Sequence, residues 1–193
     1  NLGNISNDLN EWEKTPELAL HKSDLYGEKW FLTPEVYYVN DHFFMYSSAE
    51  EHILVAVSDS LLGTFRQELK RSILEGEKTI DNSFFIDDDG KRIFFDCLDD
   101  ELNIWVAKLE DDLITTEGKD ASLYSYVVEV GKGLARVNEG SFVLKYNGIY
   151  YMCCSANSYE SLFYGIGCVT VTDIFGEWKK YLYNPFYKSP EIW

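Results

Sequence analysis

Glu139-Gly140-Ser141-Phe142-Val143-Leu144-Lys145-Tyr146-Asn147-Gly148-Ile149-Tyr150-Tyr151-Met152 reads as a strand, a tight turn and a second strand. Both runs are rich in β-branched and aromatic residues, and Asn147-Gly148 supplies the positive φ angles of a hairpin turn. Two other segments align with it. Asp81-Asn82-Ser83-Phe84-Phe85-Ile86-Asp87 leads through Asp88-Asp89-Gly90, a second turn signal, into Ile93-Phe94-Phe95. Pro34-Glu35-Val36-Tyr37-Tyr38-Val39-Asn40 leads into Phe43-Phe44-Met45-Tyr46. A third strand follows each time, at His52–Ser58, Leu102–Ala107 and Tyr164–Val171. Polar turns at Gly63-Thr64-Phe65, Glu110-Asp111-Asp112-Leu113 and Gly176-Glu177-Trp178 then end the strand, and a fourth, outer strand can begin after each.

Aligning Tyr37, Phe84 and Phe142 gives offsets of 47 and 58 residues, close to the period of four-stranded propeller blades. The spacing predicts an all-β chain of about three complete blades plus fragments, covering 30–75, 78–125 and 136–185. Residues 1–18 read as the end of a preceding blade, because Asn7–Lys14 resembles Asp173–Lys180. A short 3.6-residue pattern around Phe65 to Leu74 is the one candidate helical stretch. Three blades cannot close a ring of four to eight, so the chain reads as one incomplete propeller domain with sequence expected beyond both ends.

The 193 residues, 46% of them hydrophobic, suffice for a buried core, which excludes a disordered chain. A net charge of −16 repels phosphate backbones and anionic membranes, so nucleic acid and membrane surfaces are not expected partners. No apolar run reaches the roughly 18 residues of a membrane span, and no signal peptide is visible. Cys97, Cys153, Cys154 and Cys168 lack metal-site spacing, and Cys153 and Cys154 point to opposite faces of any strand they share. Reduced thiols lean towards a cytoplasmic setting, whereas the sequon Asn4-Ile5-Ser6 leans towards secretion.

In a propeller the starts of the inner strands converge on the central axis, so equivalent positions of the repeat share a pocket. Asp81 and Glu139 occupy such positions. Two acids arriving there from different blades fit glycoside cleavage, in which one carboxyl protonates the leaving oxygen while others stay ionised. Strand-edge acids without chemistry fit the same pattern.

At these residues the sequence resembles a known family. Leu32-Thr33-Pro34-Glu35-Val36-Tyr37-Tyr38, Ile80-Asp81-Asn82-Ser83-Phe84-Phe85-Ile86 and Arg136-Val137-Asn138-Glu139-Gly140-Ser141-Phe142-Val143-Leu144 are similar to successive blade motifs of glycoside hydrolase family 43, in unbroken order from about Asn7 to Pro190. The resemblance implies a five-bladed β-propeller that cleaves xylose- or arabinose-containing plant polysaccharides with inversion, in the manner of a β-xylosidase or α-L-arabinofuranosidase. By the same resemblance Glu139 matches the general acid, and Asp81 the aspartate that orients it and keeps it protonated. The third carboxyl, the general base on water, lies in the family at the start of the first blade's inner strand, upstream of this chain. Pro34 with Glu35 holds the equivalent position of the first full blade and does not replace it. Asp24 reads as a solvated loop acid.

The family pattern departs here in three places: Leu32-Thr33-Pro34-Glu35 stands for Trp-Ala-Pro-Glu, Asp81-Asn82 for Asp-Pro, and Glu139-Gly140-Ser141 for Glu-Gly-Pro. Trp30, Phe31 and Tyr164 are candidates for stacking on sugar rings, with core or rim packing as the alternative. No cofactor or metal is assigned. Asp87-Asp88-Asp89-Gly90 lacks the ligand spacing of a calcium loop, and His21, His42 and His52 lack any ligand spacing. Ser155 and Ser161 are not in a Gly-x-Ser-x-Gly setting. A carbohydrate is the expected partner, and unpaired strand edges of an incomplete ring favour pairing with a second copy. A catalytically incomplete sugar-binding or structural propeller piece stays open as the alternative function.

Overall fold

A computed structural model of the chain describes residues 2–98, 103–122, 137–160 and 162–188. Of the sequence expectations, Leu102, residues 123–125, Arg136, Ser161 and Pro190 lie outside them. Among the described residues there is no α-helix; a 3-10 turn spans Lys22–Asp24, and all other regular structure is strand. The chain divides into two compact units, residues 1–76 and 77–193.

The first unit holds β1 (Leu2–Ile5), β2 (Glu13–Leu18), β3 (Leu32–Val39), β4 (His42–Ala49) and β5 (His52–Ser58). β1 pairs with β2, and β3-β4-β5 form an antiparallel meander in chain order. Both hairpins of that meander turn through two residues with positive φ, Asn40-Asp41 and Glu50-Glu51. Its core gathers Met45, Leu54, Ala56 and Phe65 with Leu20 and Leu25.

The stretch from Phe65 to Leu74 is not helical. Its backbone groups are engaged at the sheet edge: Arg66 and Val57 exchange both hydrogen bonds, at 2.9 and 3.0 Å, and Ile73 N–H donates to Ile53 at 2.8 Å. Phe65, fully buried, anchors this edge, so the apolar spacing served burial rather than a helix face. A single bridge, Val57 with Arg66, stands where a fourth strand of this blade was expected.

The second unit holds β6 (Thr79–Ile86), β7 (Arg92–Leu98), β8 (Asn103–Leu109) and β9 (Thr116–Ser122), then β10 (Asn138–Tyr146), β11 (Ile149–Ala156), β12 (Gly165–Val171), β13 (Lys179–Lys180) and β14 (Tyr187–Lys188). β6-β7-β8-β9 is a four-stranded meander; β10-β11-β12-β13 is another, with β14 also pairing with β12. With the β3-β5 sheet and the β1-β2 fragment these are propeller-type blades, three plus a fragment, as the repeat predicted.

One shared core joins the two blades of this unit. Phe95, Ile104 and Val106 from one sheet meet Val143, Met152 and Val169 from the other, with Trp178 closing the edge. Each such burial stabilises by roughly 1.5–3 kcal/mol. Cys154 lies in this core, and Cys153 on the opposite face is only half-buried, as strand alternation demands. The turn before Trp178 is echoed before Trp12: the indole N–H donates back to Ile174 O at 3.2 Å in one and to Leu9 O at 3.3 Å in the other.

Asn147 and Gly148 both take positive φ, as the Asn-Gly signal predicted. The Asp-Gly turn differs. Its loop runs from Asp87 to Lys91, closed by Asp87 N–H to Lys91 O at 2.9 Å, and only Gly90 has positive φ. Lys145 reaches this loop from β10, its ammonium 2.6 Å from Asp87 and 3.0 Å from Asp88, and the Tyr150 hydroxyl also donates to Asp87. Burial alone would raise the Asp87 pKa, but the hydrogen bonds from Lys145 and Tyr150 outweigh it and hold the carboxyl below its usual value. These contacts tie the β6-β7 loop to the β10-β11 hairpin.

Candidate active site

The inner strands share one irregularity. Between Leu32 and Glu35 on β3, Ile80 and Ser83 on β6, and Glu139 and Phe142 on β10, two residues oppose one on the partner strand. The first bulged residue has positive φ in every case: Thr33 at 48°, Asp81 at 55° and Gly140 at 59°. Such bulges bend a strand and re-aim the side chains beside them, and for a non-glycine residue that backbone costs roughly 1–2 kcal/mol.

Counted from the bulge, the structural equivalents are Thr33, Asp81 and Gly140. The repeat drawn on the aromatic residues therefore slips by one: Glu139 precedes the position of Asp81 instead of matching it. Glu139 still reaches the same place: its charge acts on the Asp81 carboxyl, and so does the backbone N–H of Gly140 beside it. Burial raises the Asp81 pKa first, the negative charge of Glu139 adds to it, and the Gly140 N–H partly offsets both, leaving the carboxyl pushed up to about 6.

Tyr164, just before β12, donates its hydroxyl to Glu139 Oε1 at 2.9 Å. Burial raises the Tyr164 pKa, a hydrogen bond from the Ser155 hydroxyl opposes that rise, and the charges of Glu139 and Asp81 add to it. Ser155 is the cross-strand partner of Glu139 on β11. The second unit thus brings together three of the five sequence-predicted site residues, Glu139, Asp81 and Tyr164, with Ser155 and the Gly140 N–H added. Sequence reading passed over Ser155 because it was tested only as a nucleophile; cross-strand pairing with Glu139 is the signal that finds it.

Two more polar side chains sit in the bulges. Asn82 and Ser141 are 4% and 6% exposed, and neither side chain has a hydrogen-bond partner. They occupy the bulge position that Pro34 fills in β3.

Trp30 and Phe31 lie in the first unit. Trp30 is 59% exposed, with the Lys29 ammonium 4.1 Å from its ring centre. Phe31 packs on the core of that unit and borders a cavity of about 250 Å³ that also touches Leu20, Leu25 and the His21 side. Glu35 accepts the Tyr37 hydroxyl at 2.5 Å, and its pKa is raised because burial outweighs that bond. Asp24 lies 3.9 Å from the Arg66 guanidinium. His21, His42 and His52 each bond locally, to Ser23, Asp59 and the Glu50 carbonyl.

The sequence matches the family model of glycosyl hydrolases family 43 over residues 4–191. The endo-1,4-beta-xylanase from Bacteroides thetaiotaomicron VPI-5482 is similar at 41% identity with a TM-score of 0.87, over 95% of this chain and 64% of that one. A thermostable family-43 glycoside hydrolase is similar at 30% identity with a TM-score of 0.83, over 98% of this chain and 66% of that one. The endo-arabinase from Bacteroides thetaiotaomicron VPI-5482 shares the fold at 23% identity and a TM-score of 0.77, over 93% of this chain and 70% of that one. The chain thus spans just under two thirds of the first two structures. No curated protein matches it in sequence.

Proposed function

The chain belongs to glycosyl hydrolases family 43, and on that premise we propose that it serves the inverting hydrolysis of xylose- or arabinose-containing plant polysaccharides or oligosaccharides. Glu139 is the general acid that protonates the leaving glycosidic oxygen, and Asp81 is the aspartate that poises it. Water attacks the opposite face of the sugar, activated by a general base that we assign to no residue of this chain.

One observation carries the reading: two carboxyls from neighbouring inner strands share one site, and the charge of Glu139 raises the pKa of Asp81. Carboxyls coupled in this way do not ionise independently; in the free chain the raised pKa falls on Asp81, and the assignment of the donated proton to Glu139 follows the family resemblance. A donor proton and a neighbouring anion are what glycoside cleavage asks of such a pair. Xylan-type substrates are the first choice, because the 41%-identical structure is described as an endo-1,4-beta-xylanase; arabinan-type substrates come second.

The test uses xylo-oligosaccharides, arabino-oligosaccharides and the corresponding nitrophenyl glycosides, with proton NMR on the first-formed sugar. Release of the inverted anomer supports the reading. Release of the retained anomer overturns the mechanism, and absence of release from every substrate overturns the activity, leaving the sugar-binding or structural alternative.

A further inference from the structure

We propose that Tyr164 is a positioning residue for Glu139: its hydroxyl occupies Oε1 and leaves Oε2 as the oxygen that carries the acid proton. This inference rests on the reading of Glu139 as general acid, and it goes beyond the sugar-stacking role expected of the Tyr164 ring.

The argument is one of lone pairs and donors. A protonated carboxyl has one oxygen that bears hydrogen and one that only accepts. Tyr164 Oη donates to Glu139 Oε1 at 2.9 Å, and an oxygen that accepts a hydroxyl hydrogen there is the carbonyl-type oxygen of the protonated acid. Ser155 stands directly across the β10-β11 pair from Glu139, and its hydroxyl lowers the Tyr164 pKa, the effect of a donor beside the phenol oxygen. Asp81 faces Glu139 from the neighbouring inner strand, and the two carboxyls interact electrostatically. The acid is therefore constrained by its strand, by a second carboxyl and by a hydroxyl, and a general acid works only when its proton faces the leaving oxygen.

Tyr164→Phe separates this role from stacking, because it keeps the ring and removes only the hydroxyl. Two measurements decide. The first compares cleavage of 2,4-dinitrophenyl glycosides, whose leaving group needs no proton, with cleavage of unactivated xylo-oligosaccharides. The expected loss in kcat is about tenfold greater on the oligosaccharide, the worth of a hydrogen bond to a charged group. Equal losses on both substrates, or no loss on either, overturn the proposal. The second follows the carboxyl carbons of Asp81 and Glu139 by carbon-13 NMR through a pH titration and needs no turnover. Removing a donor that favours the ionised carboxyl moves the upper titration step of the pair to higher pH; an unchanged titration overturns the proposal. If the parent protein cleaves nothing, the function proposed above fails and the titration alone decides the place of Tyr164.

Discussion

Asp81 and Glu139 act on one another from neighbouring inner strands: the charge of Glu139 raises the Asp81 pKa, and the Gly140 N–H beside Glu139 lowers it. Asp81 lies in one strand bulge and Glu139 at the edge of the next, both in partly buried surroundings.

The first consequence concerns stability. Asp81 binds its proton more tightly in the folded chain, at about 6, than at the ordinary value of 3.8. Between those two pH values the folded state holds more protons than the unfolded state, so stability falls as pH rises through that window and then levels. Asp81→Asn keeps an acceptor for Gly140 and removes the charge. At pH 7 the variant is expected to be more stable than the parent by about 1–2 kcal/mol, once solvent screening is allowed for. Near pH 3.5 the difference disappears. Urea unfolding at the two pH values measures it.

The loop anchor behaves with the opposite sign. Asp87 has a lowered pKa, so its contribution is present above the usual aspartate value and is lost as pH falls through the depressed one. Tyr150→Phe removes the hydroxyl that donates to Asp87. The expected cost is about 1.5–3 kcal/mol at pH 7, the worth of a hydrogen bond to a charged group, shrinking as the pH is lowered through the Asp87 titration. Thermal unfolding of both proteins from neutral to acid pH reads the change.

Ser141 buries a hydroxyl that bonds to nothing. Ser141→Ala removes that desolvated group without opening space for more than one atom, and a gain of about 1 kcal/mol is expected, raising the melting temperature by roughly 2–4 °C. A calorimetric scan in which Ser141→Ala melts below the parent contradicts this account of the bulge.

Much of the architecture was legible in sequence because strand-turn-strand patterning is written in local residues. The aromatic runs at Phe43–Tyr46, Ile93–Phe95 and Ile149–Met152 each fill the second strand of a blade, and Asn147-Gly148 marked its turn correctly. The register was not legible. Phe84 and Phe142 look equivalent in sequence, yet Phe84 is 7% exposed and Phe142 60%, whereas Val143 is 7% exposed. A one-residue slip exchanges the two faces of a strand, and the bulges that cause it leave no mark that an alignment of aromatic residues can see. Glu50-Glu51 makes the same point, since its two positive φ angles come from the hairpin geometry of β4-β5 and not from glycine or asparagine. The acids themselves were picked out by their places in the repeat, and the family resemblance gave them their roles. Their partners Ser155 and Gly140 were not, because cross-strand pairing and a backbone donor exist only once the register is set.

The central claim, that Glu139 is the acid of a glycosidase site, is tested most directly by Glu139→Gln assayed on unactivated xylo-oligosaccharides. The variant keeps the shape and still accepts the Tyr164 hydroxyl, but it has no proton to give. The account predicts a fall in kcat of about 10²–10⁴-fold with the fold intact by circular dichroism. A variant that cleaves the oligosaccharide as fast as the parent contradicts it.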